Sequence, residues 1–207
     1  GEKMLRKDSL SIVFNGDWNK IYIQPDWIAK NVFNQSQIEI VLTGNGIDVL
    51  VSYRCNSVQI LPSQNQIIFS IMKVDESSIK SLCDSISRFF LNSNTPNLNS
   101  YGFNSEYEDN GESFAEKLDN MDDKSSLFSE GYEVAKCVIT RTLKREEKIF
   151  NVECSLNESN INIHINEHHE GNNMLEEIQK INMDTVNLYL EECWKIVKAM
   201  GYEKEDE

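Results

Sequence analysis

No run of 18 apolar residues occurs in the 207-residue chain, so nothing in it reads as a membrane-spanning helix. The opening Gly-Glu-Lys-Met-Leu-Arg-Lys lacks the apolar stretch of a signal peptide, and its Gly in place of Met reads as an expression remnant. Cysteine is sparse: Cys55, Cys83, Cys137, Cys154 and Cys193 make an odd number without Cys-x-x-Cys spacing. These read as reduced, mostly buried thiols in a cytoplasmic protein, and none has a local context that would activate a nucleophile. Gly44-Asn45-Gly46 is not a phosphate loop, because no Lys-Ser/Thr follows and a strand rather than a helix comes next.

Basic residues are also in deficit, 20 Lys and Arg against 34 Asp and Glu, for a formal charge of −14. Residues 1–100 carry 9 of each sign, so the whole excess belongs to residues 101–207, with 11 basic and 25 acidic. Nucleic-acid binding draws on Lys and Arg to neutralise phosphates, so this balance argues against DNA, RNA or an anionic membrane as a partner. What is present in quantity is core material. With 40% of residues hydrophobic, a chain of this length buries roughly 70% of its unfolded surface and needs no metal or disulfide staple.

Periodicity organises the rest. Residues 1–10 read as an N-terminal tail and 11–14 as a short strand. Gln24-Pro25-Asp26 opens a helix over about 25–34, with Pro in the first turn and an acid facing the helix dipole. Four strands follow: Ile38/Ile40/Leu42, then Ile47/Val49/Val51/Tyr53 across a Gly44-Asn45-Gly46 hairpin turn, then 58–61, then 67–74. A helix opened by Asp75 or Ser77 carries Ile79, Leu82, Cys83, Ile86 and Phe90 on one face. The order then recurs. Tyr101-Gly102-Phe103-Asn104 stands where Val13-Phe14-Asn15-Gly16 stood, and an acidic helix over about 112–122 follows. Three strands come next, at 132–142, about 150–156 and about 161–166, and a helix over 175–200 closes the chain.

This predicts an α+β protein of two internally duplicated units, 11–92 and an acidic 99–202, each strand, helix, three or four antiparallel strands, helix. Strands with one apolar face each imply an extended, curved antiparallel sheet covered by helices on one face. The order resembles the duplicated TATA-binding-protein-like saddle in topology, without matching residues. Asn15-Gly16-Asp17-Trp18, Gln24-Pro25-Asp26-Trp27, Val58 to Ser63, Tyr101-Gly102-Phe103-Asn104 and Asn166-Glu167-His168 together resemble a family of uncharacterised bacterial proteins. There a Gln-Pro-x-Trp helix start and a Gly-aromatic-Asn turn recur in this order, and the resemblance implies no activity.

Few side-chain constellations could carry chemistry. All three histidines, His164, His168 and His169, fall within seven residues together with Glu167 and Glu170, a ligand set that suits a divalent transition metal. On a strand, however, His164 and His168 share a face about 13 Å apart and His169 faces away, so a site at His164, His168, His169 and Glu170 requires a turn at Glu167 and a further ligand. Asp17, Asp26 and Asp48 have turn, helix-start and hairpin-face explanations. Trp18, Tyr22 and Trp27 cluster around the first helix and form a candidate interface, since Trp and Tyr are enriched where binding energy concentrates. The acidic stretch 106–133, with ten acids and two Lys, is a solvated helix and loop or a dock for a basic partner. The expected function is therefore a non-enzymatic binding or assembly module for a protein partner or a second copy, with no cofactor. The alternatives are a metal-binding protein or metalloenzyme at the histidines, and a ligand or nucleic-acid binder on the concave sheet face.

Overall fold

The structure is a computed structural model that describes residues 2–18, 23–44, 48–94, 97–109, 130–132, 135–157 and 160–204. The fold is α+β. Its strands are β1 (Glu2–Asp17), β2 (Glu39–Thr43), β3 (Leu50–Cys55), β4 (Val58–Pro62), β5 (Gln66–Ile71), β6 (Asn97–Asp109), β7 (Lys136–Arg145), β8 (Lys148–Asn157), β9 (Ile161–Glu170) and β10 (Tyr202–Lys204). Among the described residues the helices are α1 (Pro25–Ile28, continued by a π-helical turn, Ala29–Phe33), α2 (Glu76–Asn92), α3 (Met174–Gln179) and α4 (Met183–Ala199). One large, open antiparallel sheet runs in the order β2-β3-β4-β5-β1-β6-β9-β8-β7, and the short β10 adds to β1 in parallel.

Four sequence expectations change. The 1–10 tail is not one: β1 begins at Glu2, and Met4 and Leu10 are buried on the face that also holds Ile12 and Phe14. Arg6 and Asp8 interrupt that alternation, which is why it reads as a tail. Tyr101-Gly102-Phe103-Asn104 is no turn but lies inside the 13-residue β6. Asp17 likewise ends a strand, and Gly16 before it answers a close approach, since a Cβ there would run into the Asn97 carbonyl oxygen of β6. The single helix over 175–200 is two. Asn182 Oδ1 accepts from the Thr185 backbone N–H at 3.0 Å while Thr185 Oγ1 accepts from Asn182 N–H at 2.9 Å, a reciprocal cap that restarts the helix. The expected helix over 112–122, Tyr22, and Asn45 and Gly46 of the hairpin turn lie outside the described residues.

The chain divides into two compact units, and β1, β6, β9 and α4 each contribute to both. One unit comprises residues 8–104 and 167–191. Across it Tyr53 pairs with Ile60, Ile60 with Phe69 and Phe69 with Ile12, so a single row of buried side chains crosses β3, β4, β5 and β1. α2 lies against this row: Phe89 meets Phe69 at 5.5 Å and Phe90 meets Phe14 at 4.8 Å. Asp75 begins α2 by accepting from the Ser78 N–H at 2.9 Å. The opposite face is mixed: Gln66 donates to Asn15 at 2.9 Å and Asn15 donates to Ser100 at 3.0 Å, while the half-buried Val13, Ile68 and Leu61 pair across β1, β5 and β4 beside them.

The other unit comprises residues 1–7, 105–166 and 192–207. β7 and β8 pair along their whole length, from Lys136 opposite Asn157 to Arg145 opposite Lys148. Tyr107, Val152, Cys154, Leu156, Ile163, Cys193 and Val197 are buried. Trp194 of α4 packs edge-on against Tyr107 at 4.8 Å, and the Lys204 ammonium lies 5.7 Å over the Trp194 ring.

Candidate functional site

The histidines sit on a strand that continues through them. β9 runs to Glu170, and burial alternates along it, with Ile161, Ile163, Ile165 and Glu167 buried and His164, Asn166 and His168 half-buried between them. Two His–Glu contacts therefore form on opposite faces, each between residues two apart. His168 Nε2 lies 3.1 Å from Glu170 Oε2 on the more open face, and His169 Nε2 lies 3.2 Å from Glu167 Oε1 on the core face. Among the described residues no three His, Cys, Asp or Glu side chains converge with metal-ligand spacing.

The inner pair is the more unusual. Glu167 is only 3% exposed, and the His169 ring stacks on Tyr101 at 4.5 Å with 4° between planes while its edge faces Phe103 at 5.7 Å. Burial, and then the charges of Glu177 and Glu167, push the Tyr101 hydroxyl well above its ordinary range, so it stays protonated. A carboxylate beside an imidazole is the arrangement that orients a general base. Here the ring is sandwiched among aromatic side chains, which suits a packed strut.

Trp18 and Trp27 are half-buried and converge on one ring. Trp18 packs edge-on against Phe89 at 5.7 Å and Phe90 at 6.1 Å, and Trp27 against Phe89 at 5.8 Å. Trp27 thereby packs α1 against α2, and Trp18, just past the end of β1, packs on the same α2 ring; the placement of Tyr22 is outside the described residues. Cysteine chemistry has little support from its surroundings, because burial pushes the Cys83 thiol up to about 11 and raises those of Cys55 and Cys154. A groove of about 650 Å³ runs between the end of α2 and α3, lined by Phe90, Leu91, Leu175, Ile178 and Ile181 with Ser93 at its polar margin.

Among the described residues the largest concentration of exposed apolar side chains is elsewhere, at the end of the sheet. In the β2–β3 hairpin Ile40 is 49% exposed, Leu42 68%, Val49 49%, Leu50 54% and Val51 37%. Ile40 pairs with Tyr53 and Leu42 with Val51, so Ile40, Leu42 and Val51 lie on the same sheet face as the buried row that α2 lies against, whereas Leu50, opposite Thr43, lies on the other face. The base of the hairpin is tied down: Tyr53 donates to the Ile23 carbonyl at 3.4 Å, Arg54 to Gln59 at 2.9 Å and Gln59 to Ser52 at 2.9 Å. The tip is not, because β3–β4 pairing begins at Tyr53 opposite Ile60 while β2–β3 pairing continues to Thr43 opposite Leu50. Sequence reasoning found the hairpin and its alternation but assigned its apolar face to the core. The available signal was apolar residues on both faces, Val41 and Leu50 as well as Leu42 and Val51, which a half-buried strand does not need.

Comparison with protein-family models gives no match, and comparison with curated proteins gives none either.

Proposed function

We propose that this protein is a non-enzymatic binding and assembly module whose contact surface is the β2–β3 hairpin. The observation that carries this reading is the group Ile40, Leu42 and Val51, exposed on one face of a hairpin at the end of the sheet, with Val49 exposed beside its tip and Leu50 exposed on the other face. Contiguous exposed apolar patches on a folded chain mark sites that a partner covers. An edge strand adds a row of outward backbone donors and acceptors to which another strand can bond.

The duplicated, saddle-like arrangement belongs to the same proposal. Its support is the strand order: β1 and β6 are neighbours, each next to the last strand of its own half, β5 or β9, with the remaining strands following in reverse. Cover on one face is supported by a chain of ring contacts. Phe90 of α2 meets Phe14, Phe14 stacks on Tyr101, Tyr101 meets Phe103, and Phe103 stacks on Tyr189 of α4. The other face then carries the Gln66–Asn15–Ser100 bonds beside the half-buried Val13, Ile68 and Leu61.

A photo-activatable cross-linker placed at position 42 tests the function, with position 80 of α2 as an exposed control on the same unit. The expected result is one discrete protein adduct from position 42 in cells that make the protein, whatever its identity. Equal, diffuse labelling from both positions would remove the hairpin as a contact surface. A second reading, a site for a neutral apolar small molecule, rests on the α2–α3 groove, whose volume falls within the range of ligand pockets. A thermal-shift screen with neutral hydrophobic compounds, repeated on Leu91→Asp, tests it.

A further inference from the structure

We infer that the occupant of the β2 edge is a second copy of this chain, paired antiparallel through β2 about a two-fold axis at Val41. The inference rests on the assignment of the hairpin as the contact surface and adds the identity and register of what binds there.

Three observations lead to it. The first is that the edge is unguarded. Ile40-Val41-Leu42-Thr43 holds no charge and no Pro, and natural edge strands that must stay single carry Lys, Pro, a bulge or an inward charge. Among the described residues β2 pairs only with β3, so the outward-pointing N–H and C=O groups of alternate residues face away from the sheet.

The second is self-complementarity. A two-fold at Val41 sets Val41 opposite its own copy, Ile40 opposite Leu42 and Glu39 opposite Thr43. Every cross-strand pair is then apolar with apolar or carboxylate with hydroxyl, and no like charges meet, which is what an isologous interface requires.

The third is charge. Two chains of −14 repel, but the excess lies wholly in residues 101–207, and residues 1–100 are neutral. On β2 itself the one acid, Glu39, lies 3.8 Å from Arg54 of its own chain, so this strand offers its own copy no unpaired like charge, and the exposed Asp48 sits in the loop beyond its end. An edge without net charge selects a neutral strand, and the one neutral strand certain to be present at equal concentration is its own.

Sedimentation velocity on the full chain over a wide concentration series tests this. The expected result is a reversible monomer–dimer equilibrium for the wild type. Val41→Lys and Val41→Glu set like charges directly opposite each other, so each alone should raise the dimer dissociation constant at least about tenfold, while an equimolar mixture of the two should dimerise again. Position 41 lies on an outer strand of the hairpin and is half-buried, so circular dichroism and thermal melting accompany each variant to show that it folds. A wild-type chain that stays monomeric at the highest concentration overturns the inference, as does loss of dimer in the mixture or retention of dimer in both single variants. If position 42 cross-links to a different protein while the wild type stays monomeric, the contact surface stands and only the second copy falls. If position 42 gives no discrete adduct, both fall.

Discussion

The two strands that end the sheet path, β2 and β7, are built to opposite specifications. β7 is ten residues long and exposes much of its length, yet it carries Lys136, Arg141, Lys144 and Arg145, and Arg145 is held 2.9 Å from Glu192. β2 is five residues long, exposes Ile40 and Leu42, and has no charge after Glu39. A long cationic edge cannot receive another strand without burying or opposing its charges, whereas a short apolar one can. In a chain so acidic overall, four cations on one edge strand are not a by-product of composition. On the proposed reading, the difference separates an edge guarded against pairing from one left open to it.

The largest expected effect contrasts covered and uncovered parts of the same sheet face. Phe89 is buried and meets Trp18, Trp27, Phe69 and Phe90, so Phe89→Ala should cost about 3–5 kcal/mol in urea unfolding through the cavity it leaves. Leu42→Ala at the exposed end should stay within about 0.5 kcal/mol for the isolated monomer. A Leu42→Ala cost of the same size as that of Phe89→Ala would show that the hairpin tip is packed within its own chain, and the contrast would be lost.

That contrast also marks where sequence reading stops. α2 was legible because its period of 3.6 and its Asp75 cap are local properties, although Phe89 rather than Phe90 is the more deeply buried ring. The hairpin's existence was legible for the same reason. Its exposure was not, because alternation reports that a strand has an apolar face without reporting whether α2 reaches far enough to cover it. The full length of β1 was hidden by Arg6 and Asp8, whose work is tertiary: Asp8 Oδ1 accepts from the Val74 N–H at 2.9 Å beyond the end of β5. The break between α3 and α4 rests on two side-chain bonds at Asn182 and Thr185, a cap that apolar periodicity overrides when read alone. For the candidate site, the opposite facing of His168 and His169 followed from strand parity, while the stacking of His169 on Tyr101 depends on β6 lying next to β9, a pairing distant in sequence.

Removing the guard on β7 is the reciprocal experiment and the next in size. On a Val41→Lys background, which silences the β2 edge, Arg141→Val with Lys144→Val should create self-association that strengthens with concentration and is at least about tenfold tighter than in the background alone, read by sedimentation. If the neutralised β7 remains as monomeric as before, edge charge is not what distinguishes the two strands.

The turns of two hairpins sharpen the comparison at smaller scale. β3–β4 turns through Asn56 at φ +52°, and β7–β8 turns through Glu146 at φ +55°. Asn tolerates the left-handed region and Glu does not, so the longer hairpin carries the backbone strain. Glu146→Asn should raise stability by up to about 1 kcal/mol, measured by thermal or urea unfolding. The reverse exchange, Asn56→Glu, should lower it by a similar amount.

The smallest effect separates cationic guards from the anionic cap of α2. The Lys and Arg side chains of β7 guard an edge by their cationic charge. Asp75 behaves differently: hydrogen bonds from Ser78, with Lys73 and Ser77 nearby, hold its carboxyl down at about 2 against an ordinary 3.8. A carboxyl whose folded value is depressed contributes stability above the unfolded value and loses it as pH falls through the folded one, so the contribution is complete above about pH 4 and fades toward pH 2. Asp75→Asn retains an acceptor for the Ser78 N–H but has nothing to titrate. Melting temperatures of wild type and Asp75→Asn should therefore differ at pH 7, converge between pH 4 and 2, and do so without any new self-association through β7. A constant difference across that interval would mean that the Asp75 charge does not support the start of α2.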